Sequence, residues 1–331
     1  MTAKDAAKRN LDRFEAELRD LSRWMYHHPE TAFEEFETSA KLAEYLASRG
    51  FEVEYPAYGL ETAFAARVGS SGPEVVICAE LDALPEVGHA CGHNIIAAAA
   101  IGAGLAVAPL VDDLGIRVTV LGTPAEEAYG GKVDLINAGA FADAAAAMMI
   151  HPANDDVVDK SWLAVIQFDV EFRGKESHAA FTPQGGINAL DAAVQAYVNI
   201  STLRQAIYPT DKIHGVITHG GDVPNVIPAF TSMSWYVRAA SKERLDELYA
   251  KVLAAFEGAA LATGCSVDVK QRGHAYTDMV VDPVMADLYE QNSAAIGRNM
   301  HRMSEYDPSA SGSTDMANVS YVVPTIHPLL D

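Results

Sequence analysis

Three short apolar runs, EVVICA (74–79), IRVTVLG (116–122) and AAAAMMI (144–150), are separated by helical stretches, and that spacing constrains the chain more than any other feature. Short continuous apolar runs describe strands buried on both faces, and helices between them mean parallel crossovers, so a three-layer α/β domain is expected. In open α/β sheets, ligands gather in the crevice outside the carboxyl ends of the strands. Here the first run leads into Glu80-Leu81-Asp82 and then Gly88-His89-Ala90-Cys91-Gly92-His93-Asn94. The second leads into Thr123-Pro124-Ala125-Glu126-Glu127 and the third into His151-Pro152. Each strand end delivers side chains competent to bind metal.

On either side of these runs the periodicity changes. Leu42, Tyr45 and Leu46 recur at three and four residues and Gly50 stands where a helix C-cap belongs, so residues 11–50 read as helical. After His151 the period becomes two, with Trp162, Ala164, Ile166, Phe168, Val170 and Phe172 on one face of a strand. There follow a helical stretch (187–207), a strand (213–219), and a strand with Ala229, Thr231, Met233, Trp235 and Val237 on one face. A helix over 242–262, with Ser241 as N-cap, and a strand over 265–271 close the set. The order β-α-β-β-α-β is that of a ferredoxin-like unit. The expected organisation is a first domain over residues 1–172 and 283–331, with a second, 173–282, inserted into it.

Bulk charge narrows the function. Against 24 Lys and Arg stand 45 Asp and Glu, a formal charge of −21, and such a field repels phosphate backbones and anionic lipid. Nucleic-acid and membrane-surface partners are therefore not expected. Cys78, Cys91 and Cys265 are too few for a disulfide framework in 331 residues, which fits a cytoplasmic protein. The first residues carry no apolar leader-like stretch, and Ile95–Val111, mostly Ala and Gly with Pro109, reads as a buried core helix rather than a membrane span.

Cys, His and carboxylate donors suit zinc, and also manganese, cobalt or nickel where carboxylates share the site. Cys91 and His93, two positions apart, cannot share a helix face, so both are expected in a loop leading into a helix that starts near Ile95. Of the pair Glu126-Glu127, one can ligate a metal while its neighbour takes a proton from water. Two or more divalent cations would offset the mutual repulsion of Asp82, Glu126 and Glu127. Alone, Cys91 is a small buried hydrophobe and the glutamate pair a helix-start charge; together, at successive strand ends, they read as a site.

These residues resemble the M20 family of metallopeptidases and amidohydrolases, in the branch of aminoacyl-conjugate hydrolases, aminobenzoyl-glutamate hydrolases and related dipeptidases. The resemblance runs through HHPETAFEEFETS (27–39), ELDALP (80–85), GHACGHN (88–94), TPAEEAYGGK (123–132), SHAAFTPQGGINAL (177–190), VPNVIP (223–228) and SASGSTDM (309–316). It implies a two-metal, zinc-peptidase-like catalytic domain with an inserted ferredoxin-like lid that also dimerises, so a homodimer is expected. By the same resemblance, Cys91, His93, Glu127 and His151 are metal ligands, Glu126 is the general base, and Asp82 orients a ligand. His178 in the lid stabilises the oxyanion, often in the partner's site. Asn225 and Arg238 hold the substrate carboxylate, and Gly312 lies in the loop lining its pocket.

The implied reaction is hydrolysis of an amide, releasing an amino acid from an N-acyl or N-aroyl amino acid or a short dipeptide. Asn94 stands where many conjugate hydrolases carry Asp, which points to the aminobenzoyl-glutamate and dipeptidase side. Relatives run some tens of residues longer and carry a last histidine ligand near their C-terminus; His327 and a residue beyond 331 both stay open for that place. That ligand motivates an alternative, an impaired relative that binds metal or acyl-amino acids without turnover.

Overall fold

A computed structural model describes residues 2–305 and 311–331. The chain runs through α1 (Ala3–Asp12), α2 (Glu15–His27), α3 (Phe36–Ser48), β1 (Glu52–Glu54), β2 (Phe64–Val68), β3 (Glu74–Glu80), α4 (His93–Val107), α5 (Val111–Leu114), β4 (Arg117–Thr123), α6 (Gly131–Asn137), β5 (Ala144–Met148) and β6 (His151–Pro152). It continues with β7 (Ala164–Arg173), β8 (Ser177–His178), α7 (Ala189–Leu203), β9 (Lys212–His219), β10 (Val226–Ile227), β11 (Phe230–Ala239), α8 (Lys242–Thr263) and β12 (Ser266–Gln271). It ends with α9 (Pro283–Ala295), α10 (Met316–Ser320), β13 (Thr325–Ile326) and β14 (Leu329–Leu330). Two compact units result: Met1–Ser161, Met279–Asp307 and Thr314–Asp331 form one, and Trp162–Asp278 with Pro308–Ser313 the other.

The first unit is built on a six-stranded sheet of order β1-β2-β4-β3-β5-β13. β4, β3, β5 and β13 run parallel, while β2 pairs antiparallel with β4 and β1 with β2. Alternation along β3 divides the core: Ile77 and Ala79 join Leu42, Leu46, Ile101 and Leu105 on one face, whereas Val76 and Cys78 join Leu135, Phe141, Met316 and Val319 on the other. Helices on both faces make the three layers expected from the apolar runs. α4 is apolar around its whole circumference, the mark of a buried helix, and a Cβ at Gly104 would lie 2.5 Å from Val120 Cγ2. The stretch His93–Leu114 is long and apolar enough by composition to cross a membrane, but 56% of its apolar window is buried inside the protein.

In the second unit the sheet order is β12-β7-β11-β9, antiparallel throughout, with a β10-β8 ribbon beside it. Ala164, Ile166, Phe168, Val170 and Phe172 of β7 and Met233, Trp235, Val237 and Ala239 of β11 bury one face against α7 and α8. Ser241 caps α8 by accepting from Arg244 N. The ferredoxin-like order stands, but the boundary at 173 does not. β7 is the central strand, paired with β11 on one side and β12 on the other, so the unit opens at Trp162 and closes at Asp278. Strand pairing, invisible in a single strand's alternation, decides where β7 belongs.

Candidate metal centre

Every donor expected at the strand ends of the first unit converges there. Asp82 lies two residues beyond Glu80, where β3 ends. Gly92, at φ +88°, turns the chain into α4, and a Cβ there would meet Pro152 Cγ at 2.4 Å, so only glycine fits between the turn and β6. Because of that left-handed turn, α4 starts at His93 rather than near Ile95: Cys91 stays in the loop while His93 sits on the first turn of the helix. Glu126 and Glu127 follow β4 after Ala125, itself at φ +60°. His151 opens β6.

The donor atoms of Cys91, His93 and His151 lie within 4.8 Å of one another, as do those of His93, Glu126 and Glu127. Cys91 Sγ is 3.5 Å from His151 Nε2, whose ring is held by Nδ1 at 2.7 Å from Pro152 O. Asp82 spans two partners: Oδ1 meets His93 Nδ1 at 3.1 Å, and Oδ2 accepts from Glu127 N at 2.9 Å. His93 Nε2 faces Glu80 Oε2 at 3.2 Å without hydrogen-bond geometry, and Glu127 Oε1 is buried without a hydrogen bond. Buried polar atoms left in this way are rare in proteins, and a cation is one common reason for them.

Several further residues gather at this centre. Lys132, 0% exposed, lies 2.6 Å from both Glu80 Oε1 and Asp315 Oδ1, and its backbone N donates to Asp315 Oδ2 at 3.0 Å. Glu80, Glu126 and Asp315 bring carboxylate oxygens within 4.8 Å of one another. His327 is 1% exposed, with its ring centroid 5.7 Å from that of His151. Glu35 is fully buried, and its Oε1 accepts from Phe33 N at 3.0 Å and Ala125 N at 2.9 Å. Glu80, Lys132 and Asp315 stand inside ELDALP, TPAEEAYGGK and SASGSTDM, but read by itself a lone lysine passes for a solvated one.

Crowding shifts the acidities. Burial, and then Glu80 and Asp315, hold the Glu126 carboxyl well above its ordinary value. Burial also raises Glu127. Burial alone would raise Glu80, but Lys132 and His93 bring it down to about 2. Burial opposes protonation of His93, yet Glu80 and the bond to Asp82 lift the imidazole well above its usual range. Burial and the neighbouring His151 lower His327 to about 3, and burial with the Asp82 charge raises Glu35 to about 7.

The remaining expected residues belong to the second unit, in two groups. His178 is exposed on β8, paired to β10, and Ala179 N donates to Asn225 O at 2.9 Å. His178 Nδ1 accepts from Ala180 N and Phe181 N at 3.3 and 3.2 Å, which leaves Nε2 to carry the proton of a neutral ring. Arg238, on β11, donates to Ser313 Oγ at 2.8 Å, next to exposed Gly312, whose carbonyl accepts from Leu163 N. Burial lowers the Arg238 guanidinium from its usual value.

An α/β unit with metal-competent strand ends and a separate ferredoxin-like unit define a class of two-domain peptidase. Residues 164–263 match the peptidase dimerisation domain of the M20 family. The chain is 40% identical to the Xaa-Arg dipeptidase of Mus musculus over 98% of its own length and 79% of that protein's. It is 33% identical to one of the p-aminobenzoyl-glutamate hydrolase subunits of Escherichia coli over 76% of the chain and 56% of that protein. The fold is shared with a Bacillus subtilis dinuclear metal-binding M20 peptidase, with a TM-score of 0.72, 23% identity, and coverage of 96% of this chain and 89% of that one. The chain belongs to the M20 peptidase family.

Proposed function

We propose that the protein is a divalent-metal-dependent amidohydrolase that cleaves dipeptides, releasing a basic C-terminal amino acid. The observation that carries this reading is the pair of donor groups, Cys91-His93-His151 and His93-Glu126-Glu127, meeting at the ends of three strands. Cys91, His93, Glu127 and His151 would hold the cations, with His327 completing the set from beside His151. This mixture of S, N and O donors suits zinc or manganese, with cobalt and nickel compatible. Two cations also fit the crowding of five carboxylates (Glu80, Asp82, Glu126, Glu127, Asp315) around the single Lys132 ammonium. With His327 against His151, the motive for an impaired relative weakens.

Bound cations supply Lewis-acid polarisation and an acidified water. Glu126, whose raised proton affinity makes its carboxylate a strong base, accepts the proton of the attacking water and returns it to the leaving amine. Asp82 fixes the His93 ring through Nδ1, and His178 donates Nε2–H to the developing oxyanion. Asn225 and Arg238 hold the substrate carboxylate, beside the loop of Gly312. The formal charge of −21 attracts a cationic substrate, which favours a dipeptide ending in a basic residue over an anionic aminobenzoyl-glutamate. Self-association through the second unit is supported by exposed Val194, Tyr197 and Val198 on α7 and by Val216 and Ile217 on the edge strand β9. A cytoplasmic location is supported by three free thiols.

The test is amino-acid release from alanyl-arginine, acetyl-arginine and aminobenzoyl-glutamate with added zinc or manganese and with a chelator. Chelator-sensitive release, fastest for alanyl-arginine, is expected; preference for an acyl substrate would move the protein to another branch of the family.

A further inference from the structure

The segment HHPETAFEEFETS (27–39) has no part in the chemistry above, yet it touches both loops that deliver that chemistry. Glu30 O accepts from Ala83 N at 2.8 Å, next to Asp82, while the Glu30 carboxylate caps α3 by accepting from Glu37 N and Thr38 N at 3.0 and 2.8 Å. Glu35, five residues on, reaches the other loop through Ala125 N. Its oxygen also takes Phe33 N.

The backbone makes that bond informative. Phe33 and Ala125 stand at φ +62° and +60°, in the left-handed region that non-glycine residues seldom enter, and both donate to the same Glu35 oxygen. The Ala125 carbonyl in turn accepts from Tyr129 N and Gly130 N at 3.2 and 2.9 Å, and the Phe33 ring stacks on Tyr129 at 5.6 Å. A strained peptide immediately before Glu126 is thus pinned at both its N–H and its C=O, and strain of this kind persists only where the surroundings over-determine it.

We infer that Glu35 is a positioning residue for the reaction: its buried carboxylate clamps the left-handed Ala125 and so sets the direction in which Glu126 leaves the β4 strand end. The inference rests on the proposed role of Glu126 as proton acceptor. The hydrogen bonds of Glu35 Oε1 run to Phe33 N and Ala125 N, so it acts through the backbone.

The test uses the full chain reloaded with zinc and whichever panel substrate the wild type cleaves fastest, with E126Q as control. E35Q keeps the accepting oxygen and should hold kcat within about threefold. E35L removes it and should lower kcat by about 100-fold, the scale of a 1 Å misplacement of a reacting group, with KM and metal content unchanged and faster hydrogen exchange at the Ala125 amide. Because glycine enters the left-handed region freely, E35L/A125G should regain at least about tenfold in kcat over E35L. If E35L does not fold, E35D takes its place: one methylene shorter, it should lose the Ala125 bond and behave as E35L does. The inference is overturned if folded E35L or E35D keeps kcat within threefold of wild type, or if A125G recovers nothing. Full turnover by E126Q, or no cleavage by wild type, would instead sink the reading of the site, and the amide exchange at Ala125 would still decide the clamp.

Discussion

The candidate polar groups of the two units differ in burial, although the second unit too holds a buried carboxylate in an ion pair, Asp211 with Arg244. In the first, Glu80, Asp82, His93, Lys132 and Asp315 are at most 1% exposed, each fixed by charged neighbours recruited from distant stretches of chain. In the second, His178 and Asn225 are exposed and held by little more than local backbone bonds. Burial in a low-dielectric interior strengthens every charge interaction, which suits groups that must keep one geometry and a shifted acidity. Exposure suits groups that meet the substrate from outside. Substitutions at the buried charged groups should therefore cost stability, and those at the exposed groups should not.

The largest effect is expected at the buried base. E126Q should retain metal, measured by elemental analysis, while turnover drops by about 1,000-fold or more. At the exposed histidine, H178A should cost about 100-fold in kcat yet leave denaturant unfolding within about 0.5 kcal/mol of wild type. K132M is its mirror image: with Glu80 and Asp315 left facing each other unneutralised, denaturant unfolding should show a loss of about 3–5 kcal/mol. A K132M protein as stable as wild type, or an H178A protein that unfolds readily, would break the division.

The smallest effect concerns pH. Glu35 is raised to about 7 in the fold from an ordinary 4.5, so the folded state binds a proton that the unfolded state has released. Stability contributed by this group is complete below about pH 4.5 and is lost as pH rises toward 7. E35Q does not titrate, so the stability difference between E35Q and wild type should grow in favour of E35Q between pH 5 and 8, read by chemical denaturation at each pH. A constant difference would mean that Glu35 is already ionised in the fold at pH 5.

Much of this was legible in the sequence, and the parts that were not share a cause. The β3, β4 and β5 runs, the apolar α4 and the β-α-β-β-α-β order of the second unit are local patterns, and the strand ends locate Asp82, Cys91, His93, Glu126, Glu127 and His151 by topology alone. β1 and β2 escaped because Glu52–Glu54 and Phe64–Val68 are too short to carry a period. The boundary at Trp162 escaped because one strand's alternation does not say which sheet it joins. Lys132 escaped because its partner Asp315 is 183 residues away, and only the parallel sheet, by bringing α6 and the start of α10 to one face, puts the two together. His327 was visible as a residue but not as a neighbour of His151, a contact made by strand β13 adding to β5.

In the proposed function, the buried donors of the first unit run a metal-dependent hydrolysis. Arginine release from alanyl-arginine, followed while zinc or manganese is titrated into chelator-treated protein and bound metal is counted in the same samples, tests it most directly. No release is expected without metal, and activity should rise with the metal bound and saturate at two ions per chain. Release that persists in the metal-free protein, or full metal binding with no release from any dipeptide or acyl-amino acid, would contradict it.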